Sequence, residues 1–62
     1  MIKFLNDQVR GEFHLLPIER QKAFQDEAQY FAGIGHILLI LHVERFGDGT
    51  SEVTVRIGKE PG

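Results

Sequence analysis

From Ile18 to Ala32 the chain reads as an amphipathic helix. Phe24, Ala28 and Phe31 recur at helical spacing and form one apolar stripe, which Ala23, Tyr30 and Ile34 widen on one side. Arg20, Lys22, Gln25, Asp26 and Gln29 mark wetter faces, and no Gly or Pro interrupts the segment. Pro17 suits a first helical position, where its missing N–H would have no partner anyway. Glu19 follows where the helix dipole favours an acid, and Gly33 or Gly35 supplies the left-handed residue that ends the helix. The predicted helix covers about 17–33.

The C-terminal part reads as a β-hairpin, with strands at about 36–46 and 52–58. His36 to Phe46 is rich in apolar and β-branched residues, and the cluster Gly47-Asp48-Gly49-Thr50-Ser51 marks a turn. In the second strand Val53, Val55 and Ile57 alternate with Glu52, Thr54 and Arg56. The odd set Ile37, Leu39, Leu41 and Val43 is expected on the same face as Val53, Val55 and Ile57. Opposed residues then have numbers of even sum, which excludes a two-residue Asp48-Gly49 loop. A three- or five-residue loop, or a bulge at one of the glycines, satisfies that parity. The even face of the first strand also carries Leu38, Ile40 and Phe46, so something must cover it: the N-terminal segment, a second copy or a target.

Residues 1–16 fit two periods. Ile2 and Phe4 alternate, Asn6-Asp7 suits a turn, and Val9, Phe13 and Leu15 continue on odd positions, with Gly11 as a weak point. Ile2, Leu5, Val9 and Phe13 equally make a helical stripe. Strand character for part of this segment is the expectation. The predicted fold is α+β: one central helix packed on an antiparallel sheet, in the order β(β)αββ. The 62 residues make one domain, with 59–62 as a frayed tail.

A chain this short buries only about 60% of the surface its unfolded form exposes. With no Cys there is no disulfide or thiolate metal site, so association is the most available source of extra stability. The longest apolar run, Ile37 to Leu41, is far short of the ~20 residues that span a bilayer. No signal peptide is expected, because charges of both signs run through the first residues, and the cytoplasm is the expected location. A net charge of −2 with interspersed signs gives neither the basic excess of a nucleic-acid binder nor the acidic excess of a DNA mimic.

The residues that carry chemistry are few. His42 and Glu44 project from one strand face, about 7 Å apart at Cα, and form the sharpest pair. A cross-strand polar cluster, with Arg56 or Thr54 opposite, is the expected reading. His36 is ~20 Å along the strand from His42, and no H-E-x-x-H spacing occurs, so no metal is expected. Gly33-Ile34-Gly35 follows a helix, whereas a phosphate loop precedes one. Gly47-Asp48-Gly49 lacks the spaced acids of a calcium loop, and Ser51 has no nucleophile-elbow context. No cofactor and no catalytic residue is expected.

The run Glu12-Phe13-His14-Leu15-Leu16-Pro17, a helix, and then Ser51-Glu52-Val53-Thr54-Val55-Arg56 is faintly similar to RelE-type ribonuclease toxins. Those resemble it in having a helix that feeds a sheet with a late strand. The similarity covers less than half of this shorter chain. The later strand that would carry further catalytic basic residues has no counterpart, so the resemblance implies no site here.

The resulting expectation is a small protein-interaction module, an accessory regulator or inhibitor that acts on a partner protein as a homodimer. Its expected partner-binding residues are Leu38, Ile40, His42, Phe46 and Arg56. On that reading Ile40→Asp weakens assembly or target binding and leaves the fold recoverable. The alternative is nucleic-acid binding, with Arg45, Arg56 and Lys59 meeting phosphates and Phe46 or Tyr30 stacking a base. A small nuclease is a third reading.

Overall fold

A computed structural model of the chain describes residues 2–59; of the tail expected at 59–62, Lys59 belongs to a strand and 60–62 lie outside the described residues. The elements run β1 (Ile2–Phe4), α1 (Asp7–Phe13), α2 (Ile18–Gly33), β2 (His36–Arg45) and β3 (Ser51–Lys59). The helix expected at 17–33 is α2, with Pro17 as its N-cap. Gly35, at φ 77°, takes the left-handed turn after it, and its amide donates to the Ala32 carbonyl at 3.1 Å.

Residues 1–16 divide between the two periods. The expected strand character is present in β1, but there is no N-terminal hairpin. Asn6 is a helix cap: its side-chain carbonyl accepts from the Val9 amide at 2.9 Å, and Asp7 occupies the first turn. The domain therefore has two helices. The wholly antiparallel sheet is corrected as well. β1 pairs in parallel with β2 (Ile2 with Leu38, Phe4 with Ile40), so the sheet is mixed, in the order β1-β2-β3. Two strands joined through both helices leave the chain at the end of the sheet from which a parallel strand starts.

The hairpin has one of the loops that parity allowed. Phe46 donates to the Thr50 carbonyl at 2.9 Å, which closes a loop of Gly47, Asp48 and Gly49. Gly49 has φ 89°, a backbone conformation open to glycine at little cost. From Arg45 with Ser51 to His42 with Thr54 the paired numbers have an even sum. The register then slips between Ile40 and His42, and Leu41 has no partner. Beyond that bulge Ile40 opposes Val55 and Leu38 opposes Ile57, an odd sum.

This one residue decides which side chains form the core. β3 alternates without a break, so its odd residues keep one face. β2 changes parity at Leu41 and presents Val43, Ile40 and Leu38 to the helices. The expectation that Ile37 and Leu39 share the face of Val53, Val55 and Ile57 is corrected accordingly: both lie on the other face, half-buried. The core joins Val9, Phe13, Leu16, Ala28, Leu38, Ile40 and Val43, with Ile2, Phe4, Phe24, Phe31 and Val53 packed around it. Phe13 is its centre, with ring centroids 5.2 Å from Phe4 and 6.0 Å from Phe24. Burying each large apolar side chain contributes about 1.5–3 kcal/mol. The cover that the even face of β2 required is thus the chain's own N-terminal segment together with α2.

Gly11 lies inside α1, and an added Cβ there would meet nothing within 4 Å. Gly11→Ala is expected to raise stability by about 0.5–1 kcal/mol, read as a higher midpoint in urea with an unchanged slope.

Candidate functional site

Both helices pack on one side of the sheet, so the other side carries no covering element among the described residues. On that open face β2 contributes Ile37, Leu39, His42 and Glu44, and β3 contributes Gly58, Arg56, Thr54 and Glu52 opposite them. β1 adds Lys3 beside Leu39. Leu39 therefore stands between Lys3 and Arg56. Ile37 stands beside Gly58, which has no side chain to shield it. Lys3, Ile37, Leu39, Arg56, Gly58 and Lys59 line a shallow hollow of ≈ 220 Å³ with an almost wholly apolar lining. Lys3 and Arg56 form no ion pair with any described residue. The hollow is a hydrocarbon floor with cations at its rim.

The turn end of the same face is acidic. His42 Nε2 stands 3.5 Å from Glu44 Oε1, and both side chains are exposed. The expected neighbour of Glu44 was Arg56, but the register places Glu52 directly opposite it. Two carboxylates in that position repel, and His42 is the nearest group able to relieve them. A pair this exposed is not desolvated, and no described group of three or more His, Asp or Glu is placed to hold a metal ion.

Of the expected partner-binding residues, Leu38 and Ile40 are corrected. Both have 0% exposure and lie sealed in the chain's own core, because the Leu41 bulge turns them toward the helices. His42, Phe46 and Arg56 are exposed but do not converge. His42 and Arg56 lie on the open face, whereas Phe46 lines a separate hollow with Leu15, Leu16 and Pro17. Arg45 does not join Arg56 either. Its Nε is 3.3 Å from Glu12 Oε2 on α1, on the helix side of the sheet.

Two further polar features support the frame. The Asp48 carboxylate accepts from the Thr50 hydroxyl at 2.6 Å and the Thr50 amide at 3.0 Å. The hydroxyl first, and then the amide, hold the Asp48 carboxyl below its ordinary value of 3.8. A lowered carboxyl stabilises the folded turn above the ordinary value, and that contribution is lost as pH falls through the lowered one. Gln21, the one buried polar residue among those described, donates from Nε2 to the carbonyls of Leu16 (2.8 Å) and His14 (3.1 Å). Its Oε1 stands 3.3 Å from His14 Nδ1. Gln21 thus fastens the α1–α2 connection.

The fold and its open face define a small α+β domain with a half-covered mixed sheet. Comparison with protein families, curated proteins and solved structures finds no match for this chain. No helix among the described residues is long and apolar enough to cross a membrane.

Proposed function

We propose that the protein is an interaction module, an accessory regulator or inhibitor that docks on another protein through the open face of its sheet. The observation that carries this reading is the cation-rimmed apolar hollow over Ile37 and Leu39. The chemistry that complements it is an acidic segment bearing an aliphatic or aromatic side chain. The side chain fills the floor, and the carboxylates meet Lys3 and Arg56. Nucleic acid fits less well. The floor is aliphatic and offers no ring for a base to stack on. Arg45, the other hairpin arginine, is tied to Glu12 on the opposite side.

Leu39→Glu tests the reading, because it removes the floor and neutralises the rim without entering the core. A protein captured from nuclease-treated extract on the wild type would be purified and titrated against both forms. The expected result is a loss of at least about tenfold in affinity for Leu39→Glu. Equal affinity, or no retained protein, overturns the proposal. Retention of nucleic acid with a steep salt dependence favours the alternative.

A further inference from the structure

The outer edge of β3 is unpaired by any described strand, and β3 runs nine residues without a proline or a bulge. An edge of that length is a template for another strand. Charged residues on the edge are interspersed with uncovered apolar ones. Val55 and Ile57 lie on the helix side of the sheet, opposite Ile40 and Leu38, yet they remain 38% and 40% exposed. Neither helix reaches far enough across to cover them.

The sequence of β3 is complementary to itself. Val55 is its middle residue, between Ser51 and Lys59. If a second copy's β3 runs antiparallel with Val55 opposite Val55, then Val53 falls opposite Ile57, and Ile57 opposite Val53. All the odd residues stay on the helix side, so the pairing respects the pleat. On the open side Thr54 falls opposite Arg56. Glu52 comes within diagonal reach of the second copy's Arg56, and the relation holds twice by symmetry. A two-fold axis perpendicular to the sheet places both helix layers on the same side. The exposed Val55 and Ile57 of both copies then form one floor between the two layers.

We infer that the protein is a homodimer built by antiparallel pairing of β3 with β3 of a second copy, with the two-fold axis at Val55, giving a continuous six-stranded sheet. The inference rests on the reading of the chain as an interaction module but uses the edge of β3, which shares Arg56 with the hollow. The hollow over Leu39 stays open in the dimer, and two copies of it face the same way.

The test combines mass in solution with cross-linking. Light scattering across a concentration range is expected to show conversion from monomer to twice the monomer mass. Val55→Cys is expected to form a disulfide-linked dimer on mild oxidation, because directly opposed strand residues have Cα atoms within bonding range. Thr54→Cys, whose counterpart lies on the diagonal at ~7–8 Å, is not. Glu52→Arg, an exposed substitution that spares the core, is expected to weaken dimerisation about tenfold. The double variant Glu52→Arg/Arg56→Glu is expected to restore it. A monomer at every concentration, a cross-link at Thr54 in place of Val55, or indifference to Glu52→Arg overturns the inference. Leu39→Glu should leave the dimer mass unchanged, so failure of the dimer and failure of the docking hollow are read separately.

Discussion

Ile40→Asp is expected to leave the chain largely unfolded at room temperature. Ile40 has 0% exposure and sits on the central strand between Phe4 of β1 and Val55 of β3. Truncating a buried isoleucine costs about 2–5 kcal/mol. Placing an unpaired carboxylate there adds several kcal/mol more, even after relaxation. A single core of this size rarely supplies more than about 3–5 kcal/mol, so the sum exceeds what the fold holds in reserve. Far-UV circular dichroism and urea titration give the result directly, and Leu39→Asp is the control. Leu39 is the next residue on the same strand but lies on the open face, so that variant should keep a cooperative transition. A near-normal midpoint for Ile40→Asp would show that β2 does not present Ile40 to the helices. The expectation that Ile40→Asp would disturb only assembly assumed the opposite facing, and the burial of Ile40 removes it.

Gln21→Leu carries the second large effect. The side chain keeps its approximate volume but loses the two donors that satisfy the Leu16 and His14 carbonyls. Leaving a buried carbonyl without a partner costs about 1–3 kcal/mol. In a domain of this length each kcal/mol lowers Tm by about 4–8 °C. Gln21→Glu should be at least as damaging near neutral pH, because a carboxylate faces the same two carbonyls with no donor. Its stability should recover as pH falls and the protonated acid regains an O–H. That recovery, measured as Tm against pH, separates a hydrogen-bonding role from simple packing. A pH-independent deficit in Gln21→Glu would assign Gln21 a packing role alone.

The parts of the fold legible in the sequence were those with a repeated signal. α2 is long enough for Phe24, Ala28 and Phe31 to define a stripe, and its end is marked by Gly35. Parity excluded a two-residue loop but left a three-residue loop, a five-residue loop and a glycine bulge open, and it holds only on the turn side of Leu41. The bulge was not legible. Ile37 to Leu41 is apolar at every position, so either parity gives an equally good strand and nothing marks Leu41 as the extra residue. α1 was obscured because Asn6-Asp7 has the same composition as a turn and a cap, and Gly11 weakens a helix of only seven residues. β1, at three residues, is too short to declare its direction. The open-face hollow depended on all of these. Lys3 reaches Leu39 only through parallel pairing, and Ile37 and Leu39 reach that face only through the bulge. Gln21 was hidden because its partners are backbone carbonyls, which have no signature in the sequence.

The parallel pairing of β1 also orders events in time. Phe46 and Thr50 close the hairpin locally, and hairpins form in about 1–10 μs. β1 meets β2 only after the chain has passed through both helices, and the entropy of that closure must be met before Ile2 or Phe4 gains a neighbour. Folding that starts at the turn therefore spreads toward the N-terminal strand. During synthesis Ile2 to Phe4 are made before β2, so they dock only once that strand is present.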